Sequence, residues 1–108
     1  MRKGILEYCV LQILARERCY PSDILARLKE AKLIVVEGTL YTLLNRLRKE
    51  GKLAYMWEES PKGPPRKYFH LTQFGVEYVK TLGLEWEELV RTVEFFRNLK
   101  PQTPQIEQ

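Results

Sequence analysis

Gly38, Thr42, Asn45 and Lys49 gather on one side of any helix that spans them, with Thr39, Tyr41 and Arg46 at the flanks of that side. Hydroxyls, an amide, an ammonium and a guanidinium are groups that donate to phosphate oxygens, and Asn, Arg and Thr also match the edges of bases. No Asp or Glu lies between Gly38 and Lys49, so a polyanion approaching this side meets no fixed repulsion. Gly38 lets a backbone come close. A second cationic set, Lys62, Arg66 and Lys67, surrounds Gly63 and two prolines and would suit neighbouring phosphates or a minor groove. Glu58 and Glu59 oppose it locally. Most polar helix faces bind nothing, so the chemistry depends on what holds these groups outward.

The spacing predicts a frame for them. Leu40, Leu43, Leu44 and Leu47 share the other side of the Gly38 segment, which makes it an amphipathic helix running from Glu37-Gly38 to Glu50 and stopped by Gly51. Upstream, Ile5, Leu6, Cys9, Val10, Ile13 and Leu14 recur at helical steps across residues 4–17, with Tyr8 and Leu11 widening the stripe. A helix apolar on so many sides needs more than one covering surface, and in a chain this short the second is expected from another subunit. Pro21 suits a first helical position, with Ser22 or Asp23 in the first turn of a helix over residues 21–31 whose buried face is Ile24, Leu25 and Leu28. After Gly51 the period changes to two. Leu53, Tyr55 and Trp57 alternate with Ala54, Met56 and Glu58, and residues 66–71 form a second short strand. Residues 60–65 are expected to be a loop, since prolines cannot continue a ladder. Thr72 caps a last helix reaching about Leu99.

Helix, helix, helix, hairpin and long helix make a mainly α (α+β) fold, a winged helix-turn-helix with a two-stranded wing and a long C-terminal dimerisation helix. The expected division is a DNA-binding domain over residues 1–72, the dimerisation helix over 73–99 and a flexible tail over 100–108. Charge follows that division. Residues 27–67 carry ten Lys/Arg against five Asp/Glu, and residues 73–98 carry three against five.

Composition removes other classes. With 44% hydrophobic and 30% charged residues the chain reads as one globular domain. Cys9, Cys19 and the single His70 build neither a disulfide framework nor a metal site, so no cofactor is expected; Cys9 reads as a core residue, Cys19 as a turn residue and His70 as a strand-surface residue. Glu7 and Gln12 interrupt the first apolar run too early for a signal peptide, and no stretch is long enough to span a membrane. A cytoplasmic protein is expected. No nucleophile–base set, carboxylate pair or glycine-rich phosphate loop points to an enzyme.

Glu37-Gly-Thr-Leu-Tyr41, Leu43-Leu-Asn-Arg-Leu47, Glu50-Gly51, Trp57, Arg66-Lys-Tyr68, Leu71-Thr72 and Gly75 together resemble the PadR-like transcriptional regulators, in the short form with one C-terminal helix. The resemblance covers residues 5–99. It implies a cytoplasmic repressor that binds a palindromic operator in double-stranded DNA as a homodimer and is released by a small molecule. Three positions depart from the family pattern. Tyr20-Pro-Ser-Asp-Ile24 replaces a common Tyr-Gly-Tyr-Glu-Ile, Val36 stands where a Ser or Thr often caps the reading helix, and Pro64-Pro65 replace glycine in the wing.

The last helix carries Val76, Val79, Leu82, Trp86, Leu89 or Val90, Val93 and Phe96 at steps of three and four, the spacing of a coiled-coil seam. Ile5, Tyr8, Val79, Leu82, Trp86, Leu89, Val93 and Phe96 are the expected dimer contacts, with half-sites about one turn of DNA apart. Trp86 has two readings, an interface anchor or a platform for a flat aromatic effector, with Gly83 leaving space beside the indole. Some multidrug-responsive relatives of the short form carry a Trp in this stretch, as the resemblance implies. The rival class is a winged-helix module that binds protein, which salt would separate from a DNA reader.

Overall fold

The computed structural model describes residues 2–102, so the expected tail lies largely outside the described residues. Six elements follow in order: α1 (Arg2–Arg16), α2 (Pro21–Glu30), α3 (Glu37–Lys49), β1 (Leu53–Ser60), β2 (Gly63–Leu71) and α4 (Gln73–Arg97). This is the four-helix, two-strand winged arrangement that the spacing predicts.

The helices begin where their local chemistry allows. α2 starts with Pro21, whose fixed φ suits a first turn, and the Tyr20 amide donates to Asp23 Oδ2 at 3.2 Å. α3 has Val36 at its N-cap without a side-chain bond, and the Thr39 amide turns back to donate to Val36 O at 3.0 Å. It ends at Gly51, whose φ of 80° is the left-handed region. Thr72 caps α4 by accepting from the Gly75 amide at 3.0 Å.

Val10, Leu11 and Leu14 of α1, Ile24 and Leu28 of α2, and Leu40, Leu43, Leu44 and Leu47 of α3 form the core with Leu53 and Phe69. Leu11, read from the sequence as a flank, is fully buried. The two cysteines differ from expectation in depth. Cys9 is half-buried against the core, while Cys19 is 3% exposed. The cause is backbone pairing: the Cys19 amide donates to Phe69 O at 3.0 Å and the Phe69 amide to Cys19 O at 2.8 Å. This bridge clips the α1–α2 connection onto β2 and buries the thiol, and burial pushes its pKa up.

β1 and β2 pair antiparallel, Leu53 with Leu71 through Glu58 with Arg66. The connecting turn is tighter than the expected loop, because Ser60 pairs with Gly63 and Pro64 and Pro65 lie inside β2. A register shift between Glu58 and Ser60 admits them. Prolines are tolerated in a ladder at bulges and on open edges, and a two-stranded ribbon offers both. Burial falls along the ribbon from Leu53 through half-buried Tyr55 to exposed Trp57, so the wing projects beyond the core.

α4 crosses α1 and then leaves the domain. Tyr78, Val79 and Leu82 pack partly on the core, so the expected seam residues Val79 and Leu82 already cover their own chain. From Leu84 onward the apolar side chains other than half-buried Trp86 are exposed, among them Leu89, Val90, Val93, Phe95, Phe96 and Leu99. The helix closes at Arg97, with Asn98 at its C-cap, two residues short of the expected end.

Candidate nucleic-acid interface

α3 turns its four leucines into the core and leaves Gly38, Thr39, Tyr41, Thr42, Asn45, Arg46 and Lys49 exposed. Nothing stands within 4 Å of where a Gly38 side chain would begin, so that end of the helix is open to a large partner. The Thr42 hydroxyl donates to Gly38 O at 2.9 Å, which leaves its oxygen free to accept. These residues form one surface with Asn45 and Lys49 at its centre.

Arg46 stands apart. One nitrogen of its guanidinium pairs with Glu7 of α1, and the other donates to Glu50 at 3.1 Å. Its pKa is raised first by the bond to Glu7 and then by the bond to Glu50, so it stays charged and engaged. The expected reader is thus held by two carboxylates.

The wing supplies the second part of the surface. Lys62 lies exposed in the turn. Arg66 stacks over the Tyr20 ring at 3.7 Å and donates to Ser22 Oγ at 3.1 Å, which ties the wing to the start of α2. Lys67 lies over Tyr55 at 4.2 Å and over Trp57 at 5.3 Å. Glu58 sits opposite Arg66 in the ladder and offsets part of its charge. Between the wing and α3 opens a cleft of about 390 Å³ in which Tyr41, Ser22, Trp57, Arg66 and Lys67 converge, with the Glu37 carboxylate on the α3 side. Ser22, Tyr20 and Trp57 join the site without an expectation from the sequence. Trp57 carried a signal, a large aromatic on the far end of a ribbon with too little core to cover it. His70 is half-buried on β2, with Nδ1 3.1 Å from Leu71 O.

The stretch of α4 expected to meet an effector also has a defined geometry. Trp86 stacks on Tyr8 of α1, with ring centroids 5.9 Å apart and planes at 14°. A side chain on Gly83 would begin 3.1 Å from the Tyr8 hydroxyl, so the space left by Gly83 is taken by Tyr8. An open cavity of about 320 Å³ lies beside the indole, lined by Gly4, Glu7, Leu82, Glu85 and Leu89.

No helix among the described residues is long and apolar enough to cross a membrane. Among those residues no group of three His, Cys, Asp or Glu could hold a metal ion.

Comparison with known proteins places this arrangement. The family model of the PadR-like transcriptional regulators matches residues 10–81. A PadR-like transcription factor from Bacteroides fragilis is 53% identical, over 89% of this chain and 93% of that one, with a TM-score of 0.81. A PadR-like transcriptional regulator from Bacillus cereus is 32% identical, over 91% and 96% of the two chains, with a TM-score of 0.81. A Streptococcus transcriptional regulator is 36% identical, over 89% and 95%, with a TM-score of 0.80. The matched span runs from the middle of α1 through the wing to the first turns of α4, and with it the leucine-backed helix and basic ribbon described above. The chain belongs to the PadR-like family of transcriptional regulators.

Proposed function

We propose that the protein is a homodimeric repressor that binds a palindromic operator in double-stranded DNA and is released by a small aromatic effector. α3 enters the major groove with Gly38, Thr39 and Thr42 deepest, Asn45 reads a base edge, and Lys49 with the wing residues Lys62, Arg66 and Lys67 holds phosphates. Tyr41 closes the contact on the wing side. The observation that carries this reading is the exposed outer surface of α3, without an acid from Gly38 to Lys49, beside a cationic ribbon. The second subunit is supported by the apolar stripe on α4 from Leu89 to Phe96, which the single chain leaves uncovered. Ile5 and Tyr8 of α1 extend that contact.

Binding to duplexes selected from random sequence tests the reading. Affinity is expected to fall by orders of magnitude between low and moderate salt, because each phosphate contact releases counterions. Asn45→Ala is expected to lose about tenfold or more, the usual worth of a base contact. Affinity that ignores salt would instead mark an apolar docking module for protein. An aromatic effector seated beside Trp86 is expected to quench its fluorescence and to lower DNA affinity in the same titration.

A further inference from the structure

Glu7 is the only carboxylate in the apolar run from Ile5 to Leu14, and its side chain is 12% exposed. A carboxylate so placed has to be met by donors. Two other helices supply them. Arg46 of α3 holds one oxygen, and the Tyr78 hydroxyl of α4 donates to the other at 2.8 Å. Burial, and then the bond to Glu7, push the Tyr78 hydroxyl's pKa up, so it remains a donor.

The contacts then close on themselves. Arg46 also bonds Glu50 at the end of α3, Lys52 Nζ donates to Glu50 at 2.9 Å, and the same ammonium lies 3.6 Å from the centre of the Tyr78 ring. Two acids, two bases and a phenol make a closed and neutral ring across α1, α3 and α4. Lys52, 14% exposed, is nearly as enclosed as Glu7.

A second attachment lies beyond Glu50. The Thr72 hydroxyl donates to Gly51 O at 2.6 Å and the Thr72 amide to Lys52 O at 3.1 Å, pinning the end of α3 to the start of α4. The four leucines hold α3 on the core, and this pin fixes only its C-terminal end to α4. A second hold, one turn back at Arg46, joins α3 through Glu7 to Tyr78 of α4.

We propose that this ring fixes the angle of α3 to α4, and that Arg46 serves DNA binding as a positioning residue through Glu7 instead of touching DNA. The inference rests on the reading of α3 as the DNA-contacting helix. On the helical wheel Arg46 lies roughly 70° from the centre of the outer face, on the side toward α1. Turning it to a phosphate would strip an enclosed carboxylate of its cation, a costly exchange. Any change in how α4 is packed moves Tyr78, and through Glu7 and Arg46 it tilts the helix.

The test measures affinity for a duplex selected by the wild-type protein, for Glu7→Gln, Arg46→Gln, their double variant, Tyr78→Phe and Asn45→Ala, each checked for folding by circular dichroism. Glu7→Gln and Arg46→Gln are each expected to weaken binding about tenfold. The double variant should be no weaker than the worse single, because both cut one tie. The slope of log affinity against log salt should stay unchanged, and Tyr78→Phe should weaken binding in the same direction by a smaller factor. Glu7→Gln that tightens binding or leaves it unaltered overturns the proposal, as does an Arg46→Gln loss that adds to that of Glu7→Gln or cuts the salt slope by about one contact. Should Glu7→Gln fail to fold, Tyr78→Phe decides alone, and unaltered binding there overturns it. If Asn45→Ala binds normally, the reading of α3 itself fails; if Asn45→Ala loses binding while the ring variants do not, only the tie fails.

Discussion

A methyl group on Gly75 would begin 2.0 Å from the carbonyl oxygen of Lys52, inside any permitted contact. The first turn of α4 crosses the chain leaving α3 at that point, and only a residue without Cβ allows it. Gly75→Ala is expected to cost about 1–3 kcal/mol, with the backbone forced apart rather than a side chain displaced, and thermal melting measures the loss. Unchanged melting would mean that α3 and α4 are not joined there. The sequence shows a glycine after Leu71-Thr72 but not its reason, since the clash is with a residue on another element. The ring around Glu7 is hidden for the same cause. Glu7 is 39 residues from Arg46 and 71 from Tyr78, and no periodicity links them. The available signal was a lone acid in the apolar stripe of α1, which demands a cation from elsewhere.

At the scale of elements, legibility follows the strength of local rules. α3 was readable because four leucines at steps of three and four fix both its extent and its inner side, and Gly51 fixes its end. The wing was readable in its strands and misjudged in its turn. Pro64 and Pro65 argue against pairing, yet a register shift near the tip carries them within β2. The Cys19–Phe69 bridge is a single pair with no repeating pattern, so it left no trace in the sequence. The leucine layer beneath α3 predicts its own test. Leu44 is fully buried, and Leu44→Ala is expected to destabilise the chain by about 2–5 kcal/mol, read from denaturant unfolding. A loss below 1 kcal/mol would place Leu44 outside the core and the outer face elsewhere on the wheel.

At the scale of the molecule, the chain divides its apolar surface between two tasks. The first half of α4 covers its own domain through Tyr78, Val79 and Leu82, and the second half leaves Leu89, Val93 and Phe96 exposed. The seam was visible in the sequence as one continuous stripe. Where it passes from the domain to open surface was not, because that depends on how far α1 reaches. Val93→Asp is expected to convert dimers into monomers with the helical content unchanged, as measured by sedimentation and circular dichroism. It places a charge where apolar contact is proposed and touches nothing in the core. An intact dimer would move the interface off this stretch of α4.

DNA footprinting reads how two copies of α3 meet one duplex. Hydroxyl-radical cleavage of a selected duplex, with the protein bound, is expected to show two protected patches on one face of the DNA. Their centres should lie about one helical turn apart, each with flanking protection from the wing. A single patch, or uniform cleavage at protein concentrations that saturate binding, would contradict a paired presentation of α3.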